Sequence, residues 1–314
     1  MQSPPFISYA QNGEDVVLWR ALGNVGVGTY VEVGANHPTD DSATRAFYDR
    51  GWSGVTVEPV PEFAALHRRD RPRDALVEAA VSTTEGSVTL HVIPESGLST
   101  LVDTVSAEHE RRGIAHEDVV VPAMRLDALL DDAGLAGKDI HFLLIDVEGA
   151  EADVIASIDL SVWRPWVMIV ESTAPNSTEQ THEAWQDGVL AAGYEFCLFD
   201  GVSRFYVAAE RATELRAALS YPACVLDGYL TRTVDRLAGD RASALADAVH
   251  WRTLALTAWA DAVAASDPRP DARLEEQTEH LRAQMAALQG TVSWRVTRPL
   301  RGVRRVAKHL RPAR

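Results

Sequence analysis

Asp146, Glu148, Glu171 and His182 are the side chains best placed to move a proton. Asp146 and Glu171 close two apolar, β-branched runs, His141 to Asp146 and Trp166 to Glu171, and open α/β sheets bind their ligands at the carboxyl ends of strands. Asp146 and Glu148 stand two apart, so in extended chain they point to one side. Such carboxylates can take a proton from a hydroxyl, or hold a hard divalent ion such as magnesium that lowers the hydroxyl's pKa. Zinc would call for more histidine or cysteine. On structural grounds alone, Asp146 could instead cap the helix that follows, Glu151 would be a solvated first-turn acid, and His182 would begin its own helix. His37 reads as a surface loop residue, and Trp163, Trp166 and Trp185 as core.

A second group of residues suits a nucleoside. The run Tyr30 to Val33 ends in Gly34, where the missing Cβ lets the backbone approach a ligand, and the next run, Val55 to Glu58, ends in an acid. A carboxylate there accepts hydrogen bonds from a ribose diol. The loop reads Gly34, Ala35, Asn36, His37, Pro38, Thr39 rather than G-x-G-x-x-G, so the pyrophosphate cradle of dinucleotide oxidoreductases is missing. Glu32, Asp40 and Asp41 make the loop acidic, which favours an adenosyl ligand with a cationic end and no phosphates.

The elements that must carry these residues alternate as a doubly wound α/β domain does. A third strand is predicted at Ala75 to Ala80, with helices at Ser42 to Arg50, Pro61 to Arg68, Leu126 to Asp132, Ala150 to Ile158 and His182 to Ala192. Glu195 to Phe199 and Arg204 to Ala208 flank a four-residue turn, so the mostly parallel sheet ends in an antiparallel hairpin. An inserted strand pair, Val88 to Ile93 and Val119 to Met124, flanks a loop through Gly97, Leu98 and Ser99. After Tyr221 the sequence is alanine-rich and helical to Ala265, and Ser266 to Pro270 reads as a linker. The predicted organisation is an α/β domain over 1–210, a helical extension over 211–265, a linker and short amphipathic helix over 266–290, and a basic tail over 291–314. Leu274, Leu281 and Leu288 recur every seven residues, and with Met285 they make the C-terminal helices a candidate for homo-oligomer formation.

Four motifs in register, Tyr9-Ala10-Gln11-Asn12-Gly13-Glu14-Asp15, Val31-Glu32-Val33-Gly34-Ala35-Asn36, Val57-Glu58-Pro59 and Ile145-Asp146-Val147-Glu148-Gly149-Ala150-Glu151, together resemble the FkbM-like methyltransferase family. The resemblance covers roughly residues 8 to 209. It implies a Rossmann-like class I methyltransferase fold, S-adenosylmethionine as methyl donor, and O-methylation of a sugar, glycan or natural-product acceptor. It further implies Gly34, Glu32 and Asn36 against the methionine end of the cofactor and Glu58 against its ribose, with Gln11 and Glu14 folded over the site. Asp146, His182 or Glu171 would then be catalytic, Glu148 and Ser99 would touch the acceptor, and Asp146, Glu148 and Glu171 would form the magnesium site if there is one. Two positions depart from the family: Pro38 stands where many members have a second glycine, and Leu144 where many have lysine.

Composition bounds the partners. The formal charge of −15 argues against nucleic acid, which needs a positive surface. The charge is uneven, because from Thr291 onward there are eight basic residues and no acid. Such a tail suits peripheral contact with an anionic membrane. No signal peptide or membrane span is evident, so a cytoplasmic protein is expected, and Cys197 and Cys224 read as packing residues rather than metal ligands. The competing functional reading is an inactive cofactor-binding scaffold in a biosynthetic assembly.

Overall fold

The structure is a computed structural model that describes residues 5–94, 96–265 and 272–296. In chain order, β1 (Phe6–Ser8) and α1 (Glu14–Leu22) lead into β2 (Thr29–Val33), α2 (Arg45–Tyr48), β3 (Ser53–Val57), α3 (Pro61–Asp70) and β4 (Ala75–Val77). An insert follows, made of β5 (Ala80–Val81), β6 (Gly86–Val92), α4 (Asp103–Arg111) and β7 (Glu117–Met124). The chain returns through α5 (Leu126–Asp132), β8 (Phe142–Ile145), α6 (Glu151–Ala156), β9 (Val167–Glu171) and α7 (Gln186–Ala191). It ends with β10 (Tyr194–Phe199), β11 (Ser203–Ala208), α8 (Ala212–Leu219), β12 (Tyr229–Thr231), α9 (Arg232–Ala265) and α10 (Ala272–Gly290).

The main sheet has seven strands in the order β10-β11-β9-β8-β2-β3-β4, and β11 alone runs against its neighbours. This is the mostly parallel, doubly wound sheet with a final antiparallel hairpin that the sequence predicts. Strand order reverses between β2 and β8, which opens a crevice beyond their carboxyl ends. The central strands are buried on both faces, so alternate residues feed two cores. Val31, Val33, Leu143, Ile145, Met168 and Val170 pack against α5 and α6, while Tyr30, Phe142, Leu144, Ile169 and Phe205 pack against α1, Phe47, Trp52 and α8. Trp163 and Trp185 are core residues and Trp166 is half-buried against the second core, as expected of packing aromatics.

Local structure departs from the sequence reading in several places. The run from Ala75 to Ala80 is two strands, because β4 pairs with β3 in the main sheet whereas β5 pairs with β7 in a three-stranded sheet with β6. The helix expected from Ser42 to Arg50 shortens to α2, and the one expected from His182 divides into a 3-10 turn, His182–Ala184, and α7, since Trp185 has φ −136° between them. A small parallel sheet of β1 and β12 joins the two ends of the α/β unit. Helical structure after Tyr221 begins in earnest only at Arg232, after a 3-10 turn (Val225–Asp227) stopped by Gly228 at φ +64°.

The chain forms two compact units, residues 1–239 and 240–314. In the first, Leu215 and Leu219 of α8 share a core with Leu18 and Leu22 of α1. In the second, α9 and α10 expose Leu245, Val249, Leu256, Trp259, Leu274, Leu281, Met285 and Leu288. The expected linker at Ser266 to Pro270, and all of the basic tail beyond Val296, lie outside the described residues. No helix among the described residues is long and apolar enough to cross a membrane.

Candidate active site

The carboxyl ends of β2, β3 and β8 open onto a partly open cleft. Gly34, Asn36 and Glu58 form its floor, Asp146 and Glu148 one rim, and Ser96, Gly97 and Ser99 from the insert the other. Val60, Phe63, Ala79, Ala80, Val81 and Leu90 make an apolar wall. Gly34 is required here, because it has φ +83° and a Cβ on it would stand 1.7 Å from the Asp146 carbonyl oxygen. The two strand ends touch there, and nothing larger fits between them.

Glu58 is buried, and each of its oxygens accepts one main-chain N–H, from Asn36 at 2.7 Å and from Val60 at 2.7 Å. A carboxylate oxygen has two lone pairs, so capacity remains for a diol. Burial pushes its pKa up to about 7, against the two N–H groups, which hold it down. Asn36 has φ +46°, His67 Nε2 lies 2.9 Å from its carbonyl oxygen, and its side-chain Oδ1 is buried without a partner. A strained residue with an orphaned acceptor at a cleft floor marks a ligand contact.

Asp146 and Glu148 on the rim, and Glu171 beside them outside the lining, bring one carboxylate oxygen each to within 4.8 Å of the others. Asp146 is exposed, yet desolvation by the groups around its carboxylate raises its pKa, while a hydrogen bond from Glu171 opposes that rise. Glu148 is pushed up to about 8 by burial and then by the charges of Asp146 and Glu151. Glu171 lies far above the ordinary carboxylate range, chiefly from burial and then from Asp146 and Glu148. Three acids this close cannot all ionise, so near neutral pH Glu171 holds a proton and donates it to Asp146. Glu148, at φ +53°, leaves Oε2 buried without a partner, as Glu171 leaves its own Oε2. The trio also offers the hard oxygen donors that suit magnesium.

The remaining sequence-predicted residues are placed differently. Glu32 is absent from the cleft lining; its carboxylate accepts the Thr44 hydroxyl at 2.7 Å and lies 3.6 Å from the buried Arg71, so it serves the packing beneath the loop. Gln11 is exposed, and Glu14 is buried beside the hairpin turn at Asp200, its pKa raised to about 8 by burial and then by Asp200. Neither lines the cleft. His182 is not among the rim acids or the lining; burial, then Arg204, lowers its pKa. Ser99 does line the cleft, and its Oγ accepts the N–H of Ile93 at 3.2 Å.

Two neighbours were not legible as site residues. Glu151, expected in solvent, is 3 % exposed and accepts the N–H of Gly149 at 2.9 Å, so it fixes the loop that carries Glu148. His37 accepts the main-chain N–H of Asp40 at 2.8 Å and shapes the loop after Gly34. Helix α6 has Ala150, not Asp146, at its N-cap, which leaves Asp146 free to face the cleft. The apolar wall is shared between the start of α3 and the insert, whose hydrophobic residues carry no chemical signature.

A family model described as the methyltransferase FkbM domain matches residues 32–196, just over half of the chain. No curated protein matches. Among solved structures, the chain is similar to an O-methyltransferase from Bacillus cereus in complex with SAH, at 12% identity over 64% of this chain and 82% of that one, TM-score 0.35. It is similar to a precorrin-6y C5,15-methyltransferase from Geobacter metallireducens, at 11% identity over 62% and 86%, TM-score 0.33. A 1,6-didemethyltoxoflavin-N1-methyltransferase from Burkholderia thailandensis matches at 12% identity over 63% and 77%, TM-score 0.32.

Proposed function

Since the chain belongs to the FkbM family of methyltransferases, we propose that it carries the methyl group of S-adenosylmethionine to a hydroxyl of a sugar, glycan or natural-product acceptor. The observation that carries this reading is the cleft at the strand-order reversal, with Glu58 on its floor and three crowded carboxyls at its rim. Glu58 would hold the ribose diol through its free lone pairs, Phe63, Ala79, Ala80 and Leu90 would offer the adenine an apolar surface, and Gly34 and Asn36 would receive the amino-acid end. The acidic rim suits a sulfonium cation, and it rewards the charged donor over its neutral product.

Methyl transfer is an in-line displacement, so the chain's task is to align the acceptor oxygen and receive its proton. Asp146 faces the cleft and is steadied by the proton that Glu171 donates, which makes it the acceptor-side base. Glu148 and Ser99, on opposite rims, position acceptor hydroxyls. A positioned base of this kind contributes roughly 10² to 10⁴ in rate. Magnesium, if used, would sit on Asp146, Glu148 and Glu171 and lower the pKa of the acceptor hydroxyl.

Asp146→Asn keeps the shape and removes the charge. It is expected to abolish transfer of labelled methyl into fractionated host metabolites while S-adenosylhomocysteine still binds by calorimetry. Near-normal turnover in that variant would overturn the assignment of Asp146. Chelator treatment separates the two routes: activity lost to chelator and restored by magnesium supports the metal, and unchanged activity supports the metal-free base.

A further inference from the structure

A second cluster lies on the insert. His91 in β6 stands directly across from Asp118 in β7, and His116 immediately precedes β7. His91 Nδ1 is 2.7 Å and His116 Nε2 3.3 Å from the same oxygen, Oδ1 of Asp118. One donor atom from each of the three residues falls within 4.8 Å of the others. The rings meet edge to face, with centroids 5.0 Å apart.

The far side of each ring is also provided for. His91 Nε2 lies 3.0 Å from Asp103 Oδ1, and His116 Nδ1 lies 3.8 Å from Glu110 Oε1, with Ser106 Oγ at 3.2 Å. His91 therefore turns one nitrogen inward to Asp118 and the other outward to the Asp103 carboxylate, while His116 turns Nε2 to Asp118 and has the Ser106 hydroxyl against its ring, 3.2 Å from Nδ1 and 3.3 Å from Nε2. That division is how metal-binding histidines are held, since the outer acceptor fixes the tautomer and leaves the inner nitrogen's lone pair for the ion. Ligand atoms around a tetrahedral ion with bonds of about 2.0–2.1 Å stand roughly 3.3 Å apart, as His116 Nε2 and Asp118 Oδ1 do, and His91 Nδ1, at 2.7 Å from Asp118, would move back slightly to admit the ion. Both rings are nearly buried and Asp118 is exposed, so a fourth position faces water.

We propose that His91, His116 and Asp118 bind a zinc ion, with Asp103 as the outer acceptor of the His91 imidazole and the Ser106 hydroxyl as the partner of His116. Two nitrogens and one oxygen suit zinc over magnesium. The ion would tie α4 and the β6–β7 pair together behind the cleft. His91 and Thr100 exchange main-chain hydrogen bonds at 2.9 and 3.1 Å, and the Thr100 hydroxyl donates to the Glu148 carbonyl at 2.8 Å. The site thus stands two steps from the catalytic rim.

The test is a titration of the full-length, chelator-dialysed protein with cobalt(II), read by visible absorption. A tetrahedral cobalt band that saturates at one equivalent and is displaced by zinc is expected. His91→Ala and His116→Ala should each abolish it, with far-UV circular dichroism unchanged. Asp103→Asn should weaken cobalt binding about 10- to 100-fold, because it removes only the outer acceptor. Asp146→Asn should leave the band intact, which separates this site from the carboxylate rim. Absence of the band, its persistence in the double variant His91→Ala/His116→Ala, or its loss in Asp146→Asn would each overturn the proposal. Should the alanine variants misfold, Asp103→Asn at unchanged affinity would still do so.

Discussion

Replacing Glu148 by glutamine isolates the cost of crowding three acids at one rim. Glu148 has an ordinary pKa of 4.5 and is pushed up to about 8 in the folded chain, first by burial and then by Asp146 and Glu151. Between those values the folded state keeps a proton that the unfolded state has released. The stability that this proton represents is fully present below about 4.5 and is lost as pH rises through about 8. At about 1.4 kcal/mol per pH unit the ceiling is about 5 kcal/mol, and water entering an open cleft should cut this to about 2 kcal/mol. Glutamine has the same shape and never ionises. The variant should exceed the parent by less than about 1 kcal/mol near pH 5 and by about 2 kcal/mol at pH 8.5, with the gap widening between. Urea unfolding without cofactor, followed by tryptophan fluorescence at pH 5, 6.5 and 8.5, measures this, provided the denaturant slope is the same for both proteins. A difference that stays constant across that range would refute the reasoning, since it would mean that Glu148 titrates alike in both states.

Glu58→Ala should weaken S-adenosylhomocysteine binding about tenfold or more by calorimetry, because a hydrogen bond to a charged group is worth about 1.5–3 kcal/mol; unchanged affinity in a folded variant would displace the ribose from Glu58. Gly34→Ala should cost about 3 kcal/mol or more of stability, since its Cβ meets the Asp146 carbonyl, whereas Gly134→Ala, also at positive φ but in open space, should cost about 1 kcal/mol. Equal melting temperatures for these two variants would contradict the close approach of β2 and β8. If the exposed stripe of α9 pairs chains, light scattering should show a concentration-dependent mass that Leu256→Glu with Trp259→Glu abolishes. Co-sedimentation with anionic liposomes should vanish when the chain is stopped before Thr291, given about 1 kcal/mol per basic residue near such a surface; equal pelleting of the truncated protein would remove the membrane proposal.

The strand-end residues were legible because position along a strand fixes where a side chain goes. Gly34, Glu58 and Asp146 follow β-branched runs that can only be buried parallel strands, and the two-residue period set Asp146 beside Glu148. Glu32 lies in the same motif but points into the opposite core, where Arg71 and Thr44 claim it. That claim depends on a cation about forty residues away, and no local pattern announces it. β1 and β12 were missed for a related reason: three residues carry no periodicity, and their pairing spans most of the chain. The bend between β4 and β5 has neither glycine nor proline to mark it, so one apolar run hid the passage from one sheet to another.

Several departures from local rules meet at or beside the cleft. Asn36 and Glu148 hold left-handed backbone without being glycine, Asn36 Oδ1, Glu148 Oε2 and Glu171 Oε2 are buried without partners, and three carboxyls share too few positive neighbours. Each costs stability, and each lies on the floor or rim of one cleft or beside it. On the proposed reading, a cation entering there would relieve the repulsion and a hydroxyl would find open acceptors. Glu151 and His67 show how this arrangement is maintained. The first anchors the Glu148 loop through the Gly149 N–H, and the second holds the Asn36 carbonyl, so removing either should loosen the cleft without touching the ligand.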